Sequence, residues 1–430
     1  MSARFSCLSD WLAWQETAHP VKIDLSLDRV REVLGRLALP LAGVPVITVA
    51  GTNGKGSTVA FAEHILRHAG YCTGAYTSPH LLRYNERVRI DGLPVDDDTL
   101  CAAFERIDAA RGEVSLSYFE WATLAALTIF AGRNCQVLLL EVGLGGRLDA
   151  VNIVDADVAI ISSVDLDHQQ FLGETREAIG AEKVAVARAG RPLIVADRDP
   201  PASVLAYATD IDASVWRFGV DYKASTSGDG TWCWQTAANA LTLPVPDLPG
   251  AMQIRNAASA VLAVHLLTQR LPVPVSAFVA GVAHARIGGR FERRGHRLEW
   301  VLDVAHNPEA ARNLAENLRA YPAAGRTVAV LGVLGDKDAV GMVGPLAGLI
   351  DAWHLAALDG PRGSTAQQLA ARLAEVLPSA VRCHRTVAAA CQAVSAEAAT
   401  DEWRRIVVFG SFQTVEQALR SGLLPTDSYN

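Results

Sequence analysis

A glycine-rich segment behind an apolar run has the residue types and spacing of a phosphate-binding loop. The run at 46–50 leads into Gly51-Thr52-Asn53-Gly54-Lys55-Gly56-Ser57-Thr58. Glycines in such a turn let backbone N–H groups point into one concavity, and the helix that follows presents its positive N-terminal end. Lys55 can neutralise terminal phosphates, while Ser57 or Thr58 can reach a magnesium ion. The segment therefore predicts a site for a nucleoside triphosphate.

The spacing of this loop departs from the common P-loop. That motif reads G-x-x-x-x-G-K-[ST], whereas here two residues separate Gly51 from Gly54 and a glycine follows Lys55. A chance glycine-rich turn is the alternative, and the order of strand, turn, lysine and helix argues against it. The motif predicts phosphate binding and leaves the reaction open.

Length and composition limit the kind of protein that carries this loop. The chain has 430 residues, 50% of them hydrophobic and 20% charged, which is typical of a globular protein with two domains. The net charge of −7 argues against non-specific binding to nucleic acid or to an anionic membrane. The seven cysteines form no C-x-x-C pair, and the N-terminus lacks the layout of a signal peptide. We therefore expect a cytoplasmic protein without nucleic-acid or membrane partners, zinc site or disulfide framework.

The hydrophobic pattern alternates between short β-branched runs and longer helical stretches, which indicates an α/β fold with parallel sheets covered by helices. Because the pattern occurs twice, we predict a mainly parallel, P-loop-type ATP-binding domain at 1–287 and a smaller Rossmann-like domain at 288–430. The boundary is expected in the glycine- and arginine-rich stretch 284–297. The segment 199–250 is expected to add small strands and loops to the first domain.

Local signals in the sequence also predict particular helix starts and lengths. Asn307-Pro308 predicts a helix cap followed by proline at the first helical position, and Ser364 with Gln367 predicts a capping box. Apolar periodicity predicts helices at 174–189 and 339–349.

Polar side chains stand at the ends of three predicted strands of the first domain. Ser78, Glu141 and His168 each end or closely follow an apolar run. Because the carboxyl ends of parallel strands meet at one edge of a sheet, we expect these residues near the phosphate loop. Their oxygens and imidazole can coordinate Mg²⁺. A turn, an exposed strand end and a loop histidine are the ordinary alternatives, and the shared position favours a metal site.

The glycine cluster at 143–146 also invites a dinucleotide-binding interpretation. That fingerprint requires G-x-G-x-x-G at the start of a helix, whereas its sixth position here is Leu148, with no helical pattern after it. An oxidoreductase of the Rossmann type is therefore a poor fit.

Taken together in chain order, the motifs resemble the folylpolyglutamate synthetase and dihydrofolate synthetase family of the Mur ligase superfamily. The resemblance covers nearly the whole chain, and the shortened phosphate loop is the usual form in that family. Besides this loop, the motifs that carry the resemblance are Thr77-Ser78-Pro79-His80-Leu81, Ser117-Tyr118-Phe119-Glu120, Glu141-Val142-Gly143-Leu144-Gly145-Gly146-Arg147-Leu148-Asp149-Ala150, Leu166-Asp167-His168, Gly289-Arg290-Phe291-Glu292, Asp303-Val304-Ala305-His306-Asn307-Pro308 and Gly335-Asp336-Lys337-Asp338.

The resemblance implies roles for residues at these positions. Asn53, Gly54, Gly56 and Ser57 would hold the triphosphate together with Lys55, which would contact its terminal phosphates. His306 would lie near the chemistry. Lys183 would carry a carboxylate added by CO₂, and an unmodified lysine paired with an acidic neighbour is the alternative. The implied metal ligands are Ser78, Glu141, His168 and Lys183. Further nucleotide contacts are implied from the far side of a cleft, at Asn256, Arg290 and Asp303. Pterin-side contacts are implied at Ser117, Tyr118, Phe119, Glu120, Leu148, Asp149 and Ala150.

The activity that the resemblance implies is ATP-dependent ligation of L-glutamate to dihydropteroate and to reduced folates through an acyl phosphate. It implies Mg²⁺, as two ions, ATP as co-substrate, small-molecule partners and a monomer, and it leaves a need for K⁺ open. An enzyme that extends folates without acting on dihydropteroate is the nearest alternative. A nucleotide-dependent switch or binding protein would leave the Ser78, Glu141 and His168 set unexplained. A peptidoglycan ligase of the Mur type would need a further substrate domain before the phosphate loop. We expect the segment before the loop to be too short for such a domain.

Overall fold

The chain folds into alternating strands and helices in a computed structural model. The structure describes residues 4–21, 23–377, 381–398 and 403–426. The chain divides into two units. Unit 1 comprises Met1–Pro246 and Gln253–Arg286, and unit 2 comprises Asp247–Met252 and Ile287–Asn430. No helix within the described ranges has both the length and the apolar character needed to cross a membrane.

One large sheet forms the centre of unit 1. Its strands are β1 (Val46–Ala50), β2 (Thr73–Tyr76), β3 (Val88–Ile90), β4 (Leu93–Pro94), β5 (Val137–Glu141), β6 (Val158–Ile161), β7 (Pro192–Val195) and β8 (Ser214–Arg217). The strand order is β4-β3-β2-β5-β1-β6-β7-β8, and the pairs are parallel except those that β3 makes with β2 and β4. Every residue of β1 and β5 is buried, as expected for central parallel strands covered on both faces. The carboxyl ends of β2, β5, β1 and β6 therefore lie side by side.

Helices surround this sheet. Those that lie wholly in unit 1 are α1 (Leu8–Gln15), α2 (Asp28–Leu37), α3 (Lys55–His68), α4 (Asp97–Arg111), α5 (Tyr118–Gly132), α6 (Gln169–Leu172), α7 (Arg176–Val184), α8 (Ala202–Asp210) and α10 (Val275–Ala283). Helix α9 (Ala251–Leu266) has its first two residues in unit 2 and the rest in unit 1. Two 3₁₀ turns occur at Tyr84–Arg87 and Ala150–Ile153.

The segment 199–250 contains more regular structure than the sequence predicted. A small antiparallel sheet of β9 (Tyr222–Thr226), β10 (Thr231–Thr236) and β11 (Ala240–Pro244) matches the small strands that we expected. Strand β8, which contains Trp216, is a further short strand of the predicted kind, whereas the helix α8 was not predicted. Strand β8 pairs in parallel with β7 and extends the large sheet, a non-local contact that the local composition does not reveal.

Unit 2 is built on a second, smaller sheet. Its strands are β12 (Glu292–Arg294), β13 (Glu299–Leu302), β14 (Arg326–Leu331), β15 (Ala352–Ala356), β16 (Arg382–His384) and β17 (Trp403–Phe409). Their order is β12-β13-β17-β14-β15-β16, with β12 antiparallel and the other pairs parallel. The helices are α11 (Pro308–Ala320), α12 (Ala339–Val343), α13 (Ala366–Leu373), α14 (Val387–Ala398) and α15 (Phe412–Arg420), with a 3₁₀ turn at Gly344–Leu346.

Helix boundaries agree with the sequence signals in some places and differ in others. The Asn307 side chain accepts a hydrogen bond from the Ala310 N–H at 2.9 Å, and proline occupies the first turn of α11, as predicted. The capping box predicted at Ser364 and Gln367 is displaced by one residue, because Thr365 is the N-cap of α13 and exchanges hydrogen bonds with Gln368. The run Ser-Thr-Ala-Gln-Gln permits both registers.

Two predicted helices are shorter than their apolar patterns suggested. The helix predicted at 174–189 ends at Val184, and the Arg188 guanidinium then donates to the carbonyl oxygens of Ala185, Val186 and Ala187 at 3.1–3.4 Å. The helix predicted at 339–349 gives way to a 3₁₀ turn at Gly344–Leu346. Pro345 in that turn has no N–H to continue an α-helix.

Candidate active site

The predicted phosphate loop joins β1 to α3, and close contacts fix its backbone. Gly51 and Gly54 have φ angles of 148° and 87°, which side chains disfavour. A Cβ atom on Gly51 would lie 2.0 Å from Ser162 Oγ, and one on Gly54 would lie 2.7 Å from Asn256 Oδ1. Both positions therefore require glycine, for space as well as for backbone conformation.

Two buried serines that directly follow β6 in the chain hold the middle of the phosphate loop. Ser162 Oγ donates to the Asn53 carbonyl at 2.7 Å, and the Asn53 N–H donates to Ser163 Oγ at 3.1 Å. The Thr52 N–H donates to the Ser163 carbonyl at 2.8 Å. The loop is thus shaped by its neighbours within unit 1. These serines were not predicted from the sequence, although paired hydroxyls at the end of an apolar run were a signal.

Two lysine ammonium groups converge on one carbonyl of this loop. Lys55 Nζ donates to the Gly51 and Thr52 carbonyls at 3.0 and 3.1 Å. Lys183 Nζ, which comes from α7 and belongs to a buried residue, donates to the same Gly51 oxygen at 2.9 Å. Like charges close together repel and favour an anion between or beside them. The arrangement therefore suits a phosphate chain.

The glycine cluster positions Lys183. A Cβ atom on Gly146 would lie 2.6 Å from the Glu182 carbonyl and 2.7 Å from the Lys183 carbonyl, so this loop lies directly on α7. The Arg147 N–H donates to the Glu182 carbonyl at 2.8 Å, and the Arg147 side chain pairs with the Glu182 carboxylate at 2.9 Å. The glycine cluster thus allows the backbone of this loop to pack on the backbone of α7, which is a different role from dinucleotide binding.

Oxygen-bearing side chains stand at the strand ends beside the loop. The Ser78 N–H donates to Glu141 Oε2 at 3.1 Å, so the ends of the neighbouring strands β2 and β5 bring these two predicted residues together. Ser57 Oγ, in the first turn of α3, is buried and has no hydrogen-bond partner among the described residues. Thr58 Oγ1, by contrast, donates to the Gly54 carbonyl at 2.9 Å. Ser57 is thus better placed than Thr58 to meet a ligand.

His168 follows β6, which pairs with β1 on the side opposite β5. It is the N-cap residue of α6, and its φ angle is 51°. Its N–H donates to Asp167 Oδ1 at 2.8 Å. Across the described ranges, no group of three His, Cys, Asp or Glu side chains gathers as a metal site. The donor set around Ser78 and Glu141 is instead mixed, with hydroxyl and carboxylate oxygens, and such hard donors suit Mg²⁺.

Two of the predicted pterin contacts have a capping role. Ser117 and Glu120 form a capping box at the start of α5, with the Ser117 N–H donating to Glu120 Oε2 at 2.7 Å. The other carboxylate oxygen of Glu120 accepts from Arg29 at 3.2 Å. Both oxygens thus hold the helix start that presents Tyr118 and Phe119. A direct contact of Ser117 or Glu120 with substrate remains a prediction.

Phe119 and Asp149 lie against the loop after β5. A Cβ atom on Gly143 would lie 2.5 Å from the Phe119 ring, and that ring lies 5.8 Å from the Tyr76 ring. Asp149 is buried and accepts hydrogen bonds from the N–H groups of Leu144 and Val151 at 2.8 and 2.9 Å. Burial raises the pKa of Asp149 to about 6, while these hydrogen bonds and the charge of Lys55 act in the opposite direction. Leu148 is half-buried and Ala150 is buried beside it.

The raised pKa of Asp149 predicts a pH dependence of stability. An aspartate ordinarily has a pKa of about 3.9, so the folded state binds more protons than the unfolded state between about pH 4 and pH 6. Stability contributed at this position is therefore present below pH 4 and is lost as pH rises towards 6. We expect the free energy of unfolding of the wild type, relative to Asp149→Asn, to be larger at about pH 4.5 than at about pH 7 in urea titrations. An equal difference at both pH values would contradict the assignment.

Unit 2 gathers three further predicted residues. The Asp303 carboxylate accepts from the N–H groups of Phe291 and Ala305 at 2.9 and 2.8 Å. Burial raises the pKa of Asp303, and the charge of Arg290 opposes this shift. The Arg290 guanidinium lies 5.1 Å from the centre of the Phe412 ring. The centre of the His306 ring lies 6.1 Å from the centre of the same Phe412 ring. Sequence analysis missed Phe412.

The position of Asn256 corrects one prediction. The family resemblance implied a place beside Arg290 and Asp303 on the far side of a cleft. Asn256 belongs to unit 1, where its buried side chain lies against Gly54 and its Nδ2 donates to Gln253 Oε1 at 3.1 Å. Its placement on α9, which packs beside the phosphate loop, could not be read from the local sequence.

Comparisons with known proteins identify the family of this chain. Residues 49–264 match the Mur ligase middle domain, and residues 289–412 match the Mur ligase glutamate ligase domain. The dihydrofolate synthase/folylpolyglutamate synthase of Escherichia coli K12 is 42% identical over 415 residues, covering 96% of this chain and 95% of the relative.

Solved structures give the same result. The E. coli FolC structure in complex with DHPP and ADP is 41% identical, with a TM-score of 0.90 and 98% coverage of both chains. The bifunctional folylpolyglutamate synthase/dihydrofolate synthase of Yersinia pestis, complexed with AMPPNP and Mn ion, is 42% identical, with a TM-score of 0.90 and coverage of 98% and 99%. These matches confirm the α/β fold and the family predicted from the sequence. The chain belongs to the dihydrofolate synthase/folylpolyglutamate synthase family of Mur ligases.

Proposed function

We propose that this protein is an ATP-dependent ligase that joins L-glutamate to dihydropteroate, giving dihydrofolate, and to reduced folates, giving polyglutamates. The observation that supports this most strongly is the convergence of Lys55 and Lys183 on the Gly51 carbonyl beside the Ser78 and Glu141 strand ends. That site suits a triphosphate with a divalent cation, and it occurs in a chain that matches both Mur ligase domains.

The proposed reaction has two balanced steps. A carboxylate oxygen of the acceptor attacks the γ-phosphorus of ATP, giving an acyl phosphate and ADP. The amine of L-glutamate then attacks the acyl carbon, the new C–N bond forms, the C–O bond to phosphate breaks, and the amine loses a proton. Phosphate leaves with one oxygen from the acceptor. No covalent bond to the protein is required, so the chain contributes by positioning and by neutralising charge.

Named residues can supply that positioning. The N–H groups of residues 54–57 at the start of α3, with Lys55, would hold the phosphates. We assign the divalent cation to Ser78, Glu141 and His168, with Ser57 as a further oxygen donor. Lys183 would join them through the carboxylate that CO₂ adds to its amine, since the ammonium form cannot bind a cation. When bound, the cation would neutralise phosphate charge. Two ions are proposed, and the site gives no reason to assign K⁺.

The acceptor and the second unit complete the assignment. We propose that Tyr118 or Phe119 stacks on the pterin ring, near Leu148, Asp149 and Ala150. Residues 1–287 would form the ATP-binding catalytic domain and residues 288–430 the glutamate ligase domain. Arg290 and Asp303 would contact nucleotide, and His306 would act near the reacting groups. We propose a cytoplasmic monomer, consistent with seven free cysteines, that acts on small molecules.

Product analysis tests this proposal. The protein is incubated with Mg-ATP and L-glutamate, together with dihydropteroate, with tetrahydrofolate, or with neither acceptor. We expect phosphate release with each acceptor, and a mass gain of one glutamate residue in each product. Reaction with tetrahydrofolate alone would indicate a folate extender, and reaction with neither would contradict a ligase of this class.

Replacing Lys183 tests the metal-site assignment. We expect Lys183→Ala to lower turnover by on the order of 10³-fold, because a group near the phosphates that stabilises charge is lost. If Lys183 carries a carboxylate, acetate or formate should restore part of the activity, and ¹³C-labelled bicarbonate should give a carbamate signal in wild-type protein. Lys223→Ala, which removes an exposed lysine of β9, is the matched control. Full activity of the Lys183 variant would contradict the assignment, and lost activity without rescue or signal would favour an unmodified lysine.

A further inference from the structure

Arg87 places a buried positive charge in unit 1 without a carboxylate to balance it. The residue is 9% exposed, and the hydrogen bond that its guanidinium makes within the described chain runs from Nε to His80 Nδ1 at 2.9 Å. The two neighbouring arginines differ. Arg83 pairs with Asp97 at 3.0 Å, and Arg89 pairs with Glu63 at 2.8 Å. The structure thus provides acidic partners for the arginines on either side and none among its described residues for Arg87.

Two tyrosines flank this charge. The Arg87 guanidinium carbon lies 5.4 Å from the centre of the Tyr84 ring and 5.8 Å from that of the Tyr118 ring. Ring faces stabilise a cation but leave its N–H groups unused. The Tyr84 hydroxyl is also buried without a hydrogen-bond partner in the described part of the chain. Burial raises the pKa of Tyr84 well above its usual value, so the hydroxyl keeps its proton.

Both groups need an acceptor. A buried charge without a partner is costly, and so is a buried hydroxyl without one, so such groups are retained where a ligand completes them. The two terminal nitrogens of a guanidinium form a planar fork that matches the two oxygens of a carboxylate. A phenol O–H can donate to the same ligand.

The position of Arg87 connects it to the reaction. Arg87 ends the 3₁₀ turn Tyr84–Arg87, and its carbonyl accepts from the Thr77 N–H at 2.9 Å, next to Ser78. Tyr118 stands at the start of α5 beside Phe119, on the proposed acceptor side. The charge therefore lies between the metal-side strand end and the residues proposed to hold the pterin.

We propose that Arg87 binds a carboxylate of a substrate, with the Tyr84 hydroxyl as a second donor. The inference rests on the proposed function, in which each candidate ligand is a carboxylate. The carboxylate could belong to L-glutamate, to the reacting benzoate end of dihydropteroate, or to the glutamate tail of a reduced folate. These sources share one chemistry, and kinetics can separate them.

The test compares Arg87→Met and Arg87→Lys with wild type, measuring KM for L-glutamate, dihydropteroate, tetrahydrofolate and ATP. Loss of a charge-assisted hydrogen bond to a bound carboxylate predicts a rise of about 30-fold or more in the KM of one carboxylate substrate for Arg87→Met. Arg87→Lys should recover part of this loss, because it keeps the charge without the fork. KM for ATP should change little. The matched control is Arg83→Met, which removes an exposed arginine from the same segment.

The pattern of KM values identifies the source of the carboxylate. A rise for L-glutamate with both acceptors assigns Arg87 to the amine substrate. A rise for dihydropteroate alone assigns it to the benzoate carboxylate, and a rise for tetrahydrofolate alone assigns it to the glutamate tail. A rise for both acceptors assigns it to the reacting carboxylate that each of them presents. Unchanged KM values for all three would overturn the proposal. The melting temperature of Arg87→Met without substrates should fall little, since the substitution removes one hydrogen bond and two ring contacts but no ion pair. A large fall with unchanged KM values would indicate a structural role.

Failure of the proposed function is a separate result. It would appear as absent turnover by the wild type with every acceptor. Calorimetric titration of wild type and Arg87→Met with L-glutamate, with dihydropteroate and with tetrahydrofolate then tests the inference directly. Weaker binding of one of these carboxylates by the variant supports it, and affinities equal to those of the wild type for all three would overturn it.

Discussion

Lys55→Ala is expected to abolish ATP turnover while leaving the fold intact. Lys55 is the lysine of the phosphate loop, and its ammonium lies 3.0 Å from the Gly51 carbonyl, within the concavity formed by the loop. A preorganised cation that meets developing phosphate charge contributes on the order of 10³-fold to turnover, so we expect at least that loss. Glutamate-dependent phosphate release at saturating ATP measures it. Calorimetric titration with AMPPNP should also show weaker nucleotide binding.

Two controls keep this result interpretable. Lys223→Ala removes an exposed lysine of the small sheet and should retain wild-type activity. The melting temperature of Lys55→Ala should remain close to that of wild type, because the loop backbone is held by Ser162 and Ser163 rather than by the lysine alone. Wild-type turnover by Lys55→Ala would show that the phosphate loop has been assigned wrongly.

Glu141→Gln is expected to raise the Mg²⁺ requirement at least tenfold and to lower maximal turnover by on the order of 10²-fold or more. The carboxylate is buried at the end of β5 and accepts the Ser78 N–H at 3.1 Å, so the amide keeps the shape of the side chain and removes its charge. A hard divalent cation prefers the charged oxygen. Activity measured across a magnesium titration gives both quantities.

The control for this substitution is Glu105→Gln, which removes an exposed carboxylate from α4. Its magnesium titration should overlay that of the wild type. If Glu141→Gln also overlays the wild type, Glu141 does not contact the metal and its role is confined to holding Ser78.

Much of the fold and part of the site could be predicted from the sequence, because those features depend on local patterns. The phosphate loop has a glycine, lysine and hydroxyl pattern set by backbone geometry, and the strands that carry Ser78 and Glu141 are continuous apolar runs. Parallel pairing then brings the strand ends together, as their hydrogen bond shows. The N-cap at Asn307 is equally local, since the cap contacts the N–H three residues later.

Features that depend on distant contacts were missed. Ser162 and Ser163 matter because they meet Asn53, more than a hundred positions earlier in the chain. Segment Asp247–Met252 groups with unit 2, where Met252 accepts from the Asn313 side chain at 3.1 Å. A local sequence pattern does not indicate contacts with residues that are distant in the chain. Arg87 shows the same limit, because three arginines in one segment look alike until their partners are known.

The most direct test of the account follows the oxygen atoms of the acceptor. Dihydropteroate labelled with ¹⁸O in its carboxylate is incubated with Mg-ATP, L-glutamate and the protein, and the released phosphate is analysed by mass. Activation as an acyl phosphate predicts one ¹⁸O atom in each phosphate released, because that oxygen leaves with the phosphoryl group when the amide forms. Phosphate that carries no label, released together with dihydrofolate, would contradict carboxylate activation as the use of ATP at this site.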